Sequence, residues 1–141
     1  MNPILNLVIA LAGIGAGIFL AKTFWKAGSF KCTNNKMAID EAFAWAKNVP
    51  HGVIVTIGLL EIAGAIGVVV APIVALVPGF AWAQPFGIAA AAGLALTMLV
   101  AAIMHGARGE LKYTAKANFS LLAISVAAAV LNALVVLPLS F

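Results

Sequence analysis

Residues 53–77 read VIVTIGLLEIAGAIGVVVAPIVALV, an apolar run in which Glu61 is the one ionisable side chain. A bilayer span needs about 20 mostly apolar residues, and this stretch meets that length. Three further stretches do the same: Ile4 to Ala21, Phe86 to Met104 and Phe119 to Leu137. The connections between the four are about 31, 8 and 14 residues long, which leaves no room for a soluble domain. The predicted fold is therefore an all-α membrane protein. It is a four-transmembrane-helix bundle forming a single transmembrane domain over residues 1–141.

Composition agrees. Of 141 residues, 65% are hydrophobic and 9% charged, whereas a soluble domain carries roughly 25% charged residues. Too few charges are present to cover the outside of a core in water. The first span is not expected to be a cleaved secretory signal. Such signals place positive charge before the apolar stretch, but Met1 to Asn6 is uncharged and Lys22 and Lys26 follow the stretch.

With four spans, the first and third connections share a side of the membrane. The first carries Lys22, Lys26, Lys31, Lys36 and Lys47, and the third Arg108, Lys112 and Lys116. Those are all eight basic residues of the chain. Basic residues near span ends stay in the cytoplasm, so both termini are expected outside it. The net charge of +4 then describes a basic rim facing anionic headgroups. No compact basic domain is present, so nucleic acid is not an expected partner. Phe24, Trp25, Phe43 and Trp45 are placed at the inner interface, and Phe80 and Trp82 at the outer one. The outer connection, Pro78 to Pro85, is uncharged and reads as a tight lid.

Met37 to Asn48 is too short and polar to cross. Asn34 or Asn35 supplies a helix N-cap, Pro50 follows the end, and Ile39, Phe43 and Ala46 share a face. The expectation is a short interfacial helix lying on the inner leaflet.

Lipid gives apolar helices no hydrophobic reason to associate, so small residues mark contact faces. Gly13 and Gly17 form a GxxxG pair in the first span, and Ala63 and Gly67 a similar pair in the second. Packing within one bundle is the simpler reading of both. In the fourth span Asn118, Ser125 and Asn132 recur every seven residues, a stripe on one helix face. It is expected to point inward and hydrogen-bond to neighbours, either as structural glue or as the wall of a small-molecule cavity.

Glu61 lies about 12 Å inside the second span at 1.5 Å per residue. An intramembrane ionisable residue is a functional hypothesis by default, and a carboxylate at that depth persists only as the neutral acid or beside a cation. Gly58 and Gly64 flank it on one face, so that face abuts another helix. The candidate partners from the same half of the membrane are Lys22, at the end of the first span, and His105, at the end of the third. His51 starts the second span, and Arg108 lies one turn beyond His105. Two readings stay open. Glu61, Lys22 and His105 line a cytoplasm-facing cavity that handles protons or binds a polar headgroup, or Glu61 sits in a buried ion pair that fixes helix register.

Other chemistries are missing from the sequence. A lone thiol, Cys32, cannot form an internal disulfide. Two histidines at different span ends supply neither a haem pair nor a metal cluster. No phosphate loop, zinc-protease motif or nucleophile elbow occurs. No catalytic residue, metal or cofactor is expected, with quinone the one cofactor left open. At most the chain is a subunit of a membrane oxidoreductase.

The stretch 58–67, GLLEIAGAIG, resembles the second-helix signature of the DoxX-like family. Residues 96–110, LTMLVAAIMHGARGE, resemble that family's third-helix end, and Lys26 stands where members commonly have a basic residue. The likeness spans most of the chain, with four spans in matching order. It implies a compact four-helix protein of the bacterial inner membrane. Members are described as small subunits or companions of membrane redox complexes, including quinone-linked sulfur oxidation, and eukaryotic relatives are similar to receptor-assembly chaperones. Glu61 and His105, then Lys26, are the positions that carry over.

Three functions follow as expectations. The first is a non-catalytic accessory or assembly subunit of a larger membrane redox complex, touching lipids and other membrane subunits. The second is a proton-coupled small-molecule transporter, and the third a quinone- or lipid-binding subunit using Glu61. Association of the chain with itself stays open.

Overall fold

The computed structural model describes residues 2–137; Met1 and residues 138–141, at the ends of the expected domain, lie outside the described residues. The described residues form five α-helices: α1 (Pro3–Thr33), α2 (Lys36–Ala42), α3 (His51–Ala75), α4 (Gln84–Ala107) and α5 (Leu111–Leu134). A 3₁₀ turn at Ala44–Asn48 links α2 to α3, and another at Ala81–Ala83 leads into α4. Helices α1, α3, α4 and α5 are each long and apolar enough to cross a membrane. The protein is a multi-pass, four-helix membrane protein with a short helix between its first two spans.

The helices run up and down in chain order. Helix α1 packs on α3, α3 on α4, α4 on α5, and α5 closes the ring against α1. Leu20, Phe24, Ala65, Val68, Ala91, Leu94, Met98 and Ala128 meet at the centre. Phe24 is therefore core, 1% exposed, and not the interfacial ring expected of it; Trp25, on the next helical face, is exposed.

Helix α1 corrects the first span. The expected end at Ala21 is passed without a break, and the helix continues to Thr33. Its buried stripe explains why: Gly13, Gly17, Leu20, Phe24, Gly28 and Lys31 keep helical spacing through the lysines. The helix stops at Asn34, whose backbone is extended and whose Nδ2 donates to Phe30 O at 2.9 Å. Helix α5 is corrected likewise, starting at Leu111 rather than Phe119 and ending at Leu134. The long third connection is thus a tight turn in which Gly109 takes φ +71°, and Lys112 and Lys116 are helical.

The segment between α1 and α3 is not one helix. Asn35 caps α2, its side chain accepting from Ala38 N at 2.9 Å, but the backbone turns extended at Phe43 before the 3₁₀ turn. Burial accounts for the break. Ile39 and Ala46 are both fully buried against Ile54, with Phe30, Phe43 and Trp45 packed around them. Lys36 pairs with Asp40 and donates to Ala46 O at 3.0 Å, tying the two pieces together.

At the opposite end, Asn6 Nδ2 donates to Val136 O at 2.7 Å and Val136 N donates to Asn6 Oδ1 at 3.0 Å. Gln84 Nε2 donates to Asn132 O and Val135 O at 2.7 and 2.8 Å. These bonds clamp α1, α4 and the end of α5 together and satisfy carbonyls that hydrocarbon would leave orphaned.

Candidate functional site

Toward the basic end, helices α1 and α3 are in backbone contact at two glycines. A Cβ on Gly28 would lie 2.6 Å from Gly58 O, and one on Gly58 would lie 2.8 Å from both Gly28 O and Cys32 Sγ. Only hydrogen fits at either position, and the contact of backbones sets what happens one turn away. There, Lys31 Nζ donates to Glu61 Oε1 at 2.8 Å and to Oε2 at 2.6 Å. The two side chains are 6% and 4% exposed. A bidentate, charge-assisted pair of this kind answers the requirement that a charge within a span be partnered.

The partner is thus Lys31, which sequence reasoning overlooked. Taking the first span to end at Ala21 put Lys31 in a loop. The signal that finds it is the stripe Gly17, Leu20, Phe24, Gly28, Lys31, which places Lys31 on the face that meets α3. Lys22 and Lys26 occupy the opposite, exposed face of α1 and do not join Glu61. Arg108 is also exposed, its Nη1 3.5 Å from Ala44 O, and His51 sits at the start of α3 with Nε2 3.3 Å from Asn34 O.

Beside the pair lies a cavity of about 790 Å³ between the basic ends of the helices. All four spanning helices and residues 42–45 line it. Its walls are mainly apolar, with Phe24, Ile57, Met98 and Leu121 among them. Its polar groups are Lys31, Glu61, His105, Glu110, Tyr113, Asn118 and three threonines. The structure therefore brings Glu61, His105 and Asn118 to one cavity. His105 Nδ1 lies 2.7 Å from Glu110 Oε2, a pairing across the α4–α5 turn. Phe43 roofs the ion pair, with Lys31 Nζ 5.5 Å from its ring centre, and stacks edge-on against Phe30 and near Trp45. Below, the fully buried Leu20, Phe24, Val68 and Leu94 separate the cavity from the far end of the bundle.

The polar seam of α5 faces inward, with Asn118, Ser125 and Asn132 all buried. Its expected hydrogen bonds are not formed: Asn118 Nδ2, Ser125 Oγ and Asn132 Nδ2 have no protein partner. Asn118 opens onto the cavity beside Glu61 and His105, and Asn132 lies next to Gln84 at the far end of the bundle. Among the described residues no group of His, Cys, Asp and Glu has metal-binding geometry.

An apolar chamber with a few convergent polar groups at one end is the general form of a small-molecule site. The sequence pattern of the DoxX-like family matches residues 15–130, and the chain belongs to that family. No curated protein and no solved structure matches it.

Proposed function

We propose that this protein is a non-catalytic accessory subunit of a larger membrane redox complex, and that it serves the complex by holding a quinone or a lipid in its cavity. The observation that carries the reading is the cavity itself, about 790 Å³ and mainly apolar, with Lys31–Glu61 and His105–Glu110 at its polar end. Its volume falls within the roughly 300–1,000 Å³ of small-molecule sites. The apolar walls suit a ring or acyl chain, and the threonines, Tyr113 and Asn118 offer hydrogen bonds to a neutral polar head. The family's association with quinone-linked redox complexes points the same way. In this reading the basic end faces the cytoplasm of a bacterial cell and both termini face outward.

Proton-coupled transport draws on the same buried Glu61, but two observations weigh against it. Glu61 already holds a counter-ion through both oxygens, and the packed layer of Leu20, Phe24, Val68 and Leu94 closes the cavity floor.

The test is extraction of quinones and lipids from protein purified out of its own membranes, beside an Ala101→Trp variant whose indole projects into the chamber from α4 and obstructs it. Ala101 lines the cavity. The wild type is expected to retain a quinone or lipid at about one per chain and the variant to retain little. Equal retention by both places the ligand elsewhere and removes the reading.

A further inference from the structure

Lys22 and Lys26 take no part in the site. Both are exposed, neither lines the cavity, and neither has an acidic partner among the described residues. Because α1 buries Gly17, Leu20, Phe24, Gly28 and Lys31, the two lysines fall on its back, with the exposed Val8, Gly15 and Phe19.

Helix crossings give their depth. A Cβ on Gly17 would lie 2.6 Å from Val68 O, and one on Gly28 would lie 2.6 Å from Gly58 O. Lys22 is placed between these crossings, hence level with the middle of α3. It is about 13 Å further from the basic end than Lys31, at 1.5 Å per residue. Nearer that end, Val53, Leu59, Leu99 and Ile103 are exposed outside the cavity. Such side chains belong in hydrocarbon, so the membrane extends well past Lys22 toward the basic end. A four-carbon stem does not cover the roughly 15 Å from the centre of the hydrocarbon to its edge. Charged side chains at that depth face protein or pair with an opposite charge.

We propose that the back of α1 is a docking surface for a transmembrane helix of a different polypeptide, one that carries a carboxylate near the middle of the membrane to pair with Lys22. This rests on the accessory-subunit reading and names the face it uses. A second copy of the chain does not supply the charge. Of its four acids, Asp40, Glu61 and Glu110 pair with Lys36, Lys31 and His105, and Glu41 lies on α2 at the basic end. Gly15, seven residues before Lys22 on the same face, has nothing within 4 Å of where a Cβ would stand. That opening lets a partner backbone come close.

A photocrosslinking amino acid at Phe19, with one at the exposed Val126 of α5 as control, tests the assignment in native membranes. The Phe19 probe is expected to capture a peptide from an apolar segment of another protein that contains Asp or Glu. Lys22→Glu, or Lys22→Gln if the reversed charge prevents accumulation, should cut the yield about tenfold or more. Changing the partner's acid to Lys in the Lys22→Glu background should restore it. Adducts to lipid alone, to a second copy, or to a segment without an acid overturn the proposal, as does an unchanged yield in both Lys22 variants. Capture of subunits only from Val126 overturns the face but leaves the accessory role standing. A chain that migrates alone overturns both.

Discussion

Lys31 and Glu61 are each buried with the other as counter-ion, so the two members depend on one another more than on anything else nearby. Removing one partner of a buried pair leaves an uncompensated charge and costs about 3–5 kcal/mol, whereas replacing both by apolar groups is often close to neutral. Lys31→Met alone is therefore expected to lower unfolding stability in mixed micelles by about 3–5 kcal/mol, and Lys31→Met with Glu61→Leu to lose clearly less. A double variant that loses the sum of the two single losses shows that the residues do not act as a pair. At this scale the sequence announced Glu61 plainly, because a carboxylate in an apolar run has few innocent explanations. It concealed Lys31, because the lysine stands among other lysines and shows its inward face only when the stripe is followed past Ala21. The asparagines and serine of α5 announced their face by their spacing but not their lack of partners, which depends on the side chains opposite.

Among the elements, α1 and α3 carry the site, and their spacing is set at Gly28 and Gly58. Overpacking a close contact costs about 1–3 kcal/mol. A Gly58→Val chain is expected to separate the helices, lower the thermal midpoint in detergent and stretch the Lys31–Glu61 pair. Unchanged stability means the helices pack more loosely than 2.6–2.8 Å Cβ clearances imply. The segment between these helices contributes through Phe43, whose ring contacts Phe30 and covers the Lys31 ammonium. Aromatic pairs add about 0.5–1.5 kcal/mol, so Phe43→Ala should speed amide hydrogen exchange across Ala44–Asn48 without affecting the Asn6–Val136 end. Exchange that rises equally at both ends points to global loosening instead. Hydropathy found all four spanning helices because each contains an apolar run long enough to cross a membrane. It misjudged the ends of α1 and α5, where Lys22, Lys26, Lys112 and Lys116 stand on outward faces without interrupting the helix, and it could not see the break at Phe43, which tertiary burial of Ile39 and Ala46 imposes.

For the whole molecule, the clustering of basic residues makes an orientation that labelling can read. In a Cys32→Ser background, a cysteine at Gly79 in the turn before α4 is expected to react with an impermeant thiol reagent added outside intact cells. One at Glu41 should react only after the membrane is opened. The reverse pattern inverts the topology. The bundle was legible from the sequence because four apolar runs and short connections admit few arrangements in lipid. The cavity was not, since it is a gap bounded by parts of four helices and a loop, and no local pattern encodes a gap. The central claim, a ligand-holding subunit of a larger assembly, is tested most directly by native mass spectrometry of the particle released from its own membranes in mild detergent. The expected result is this chain together with at least one other membrane subunit, carrying a bound quinone or lipid that the Ala101→Trp particle lacks. A chain that emerges alone, with nothing in its cavity, contradicts the account.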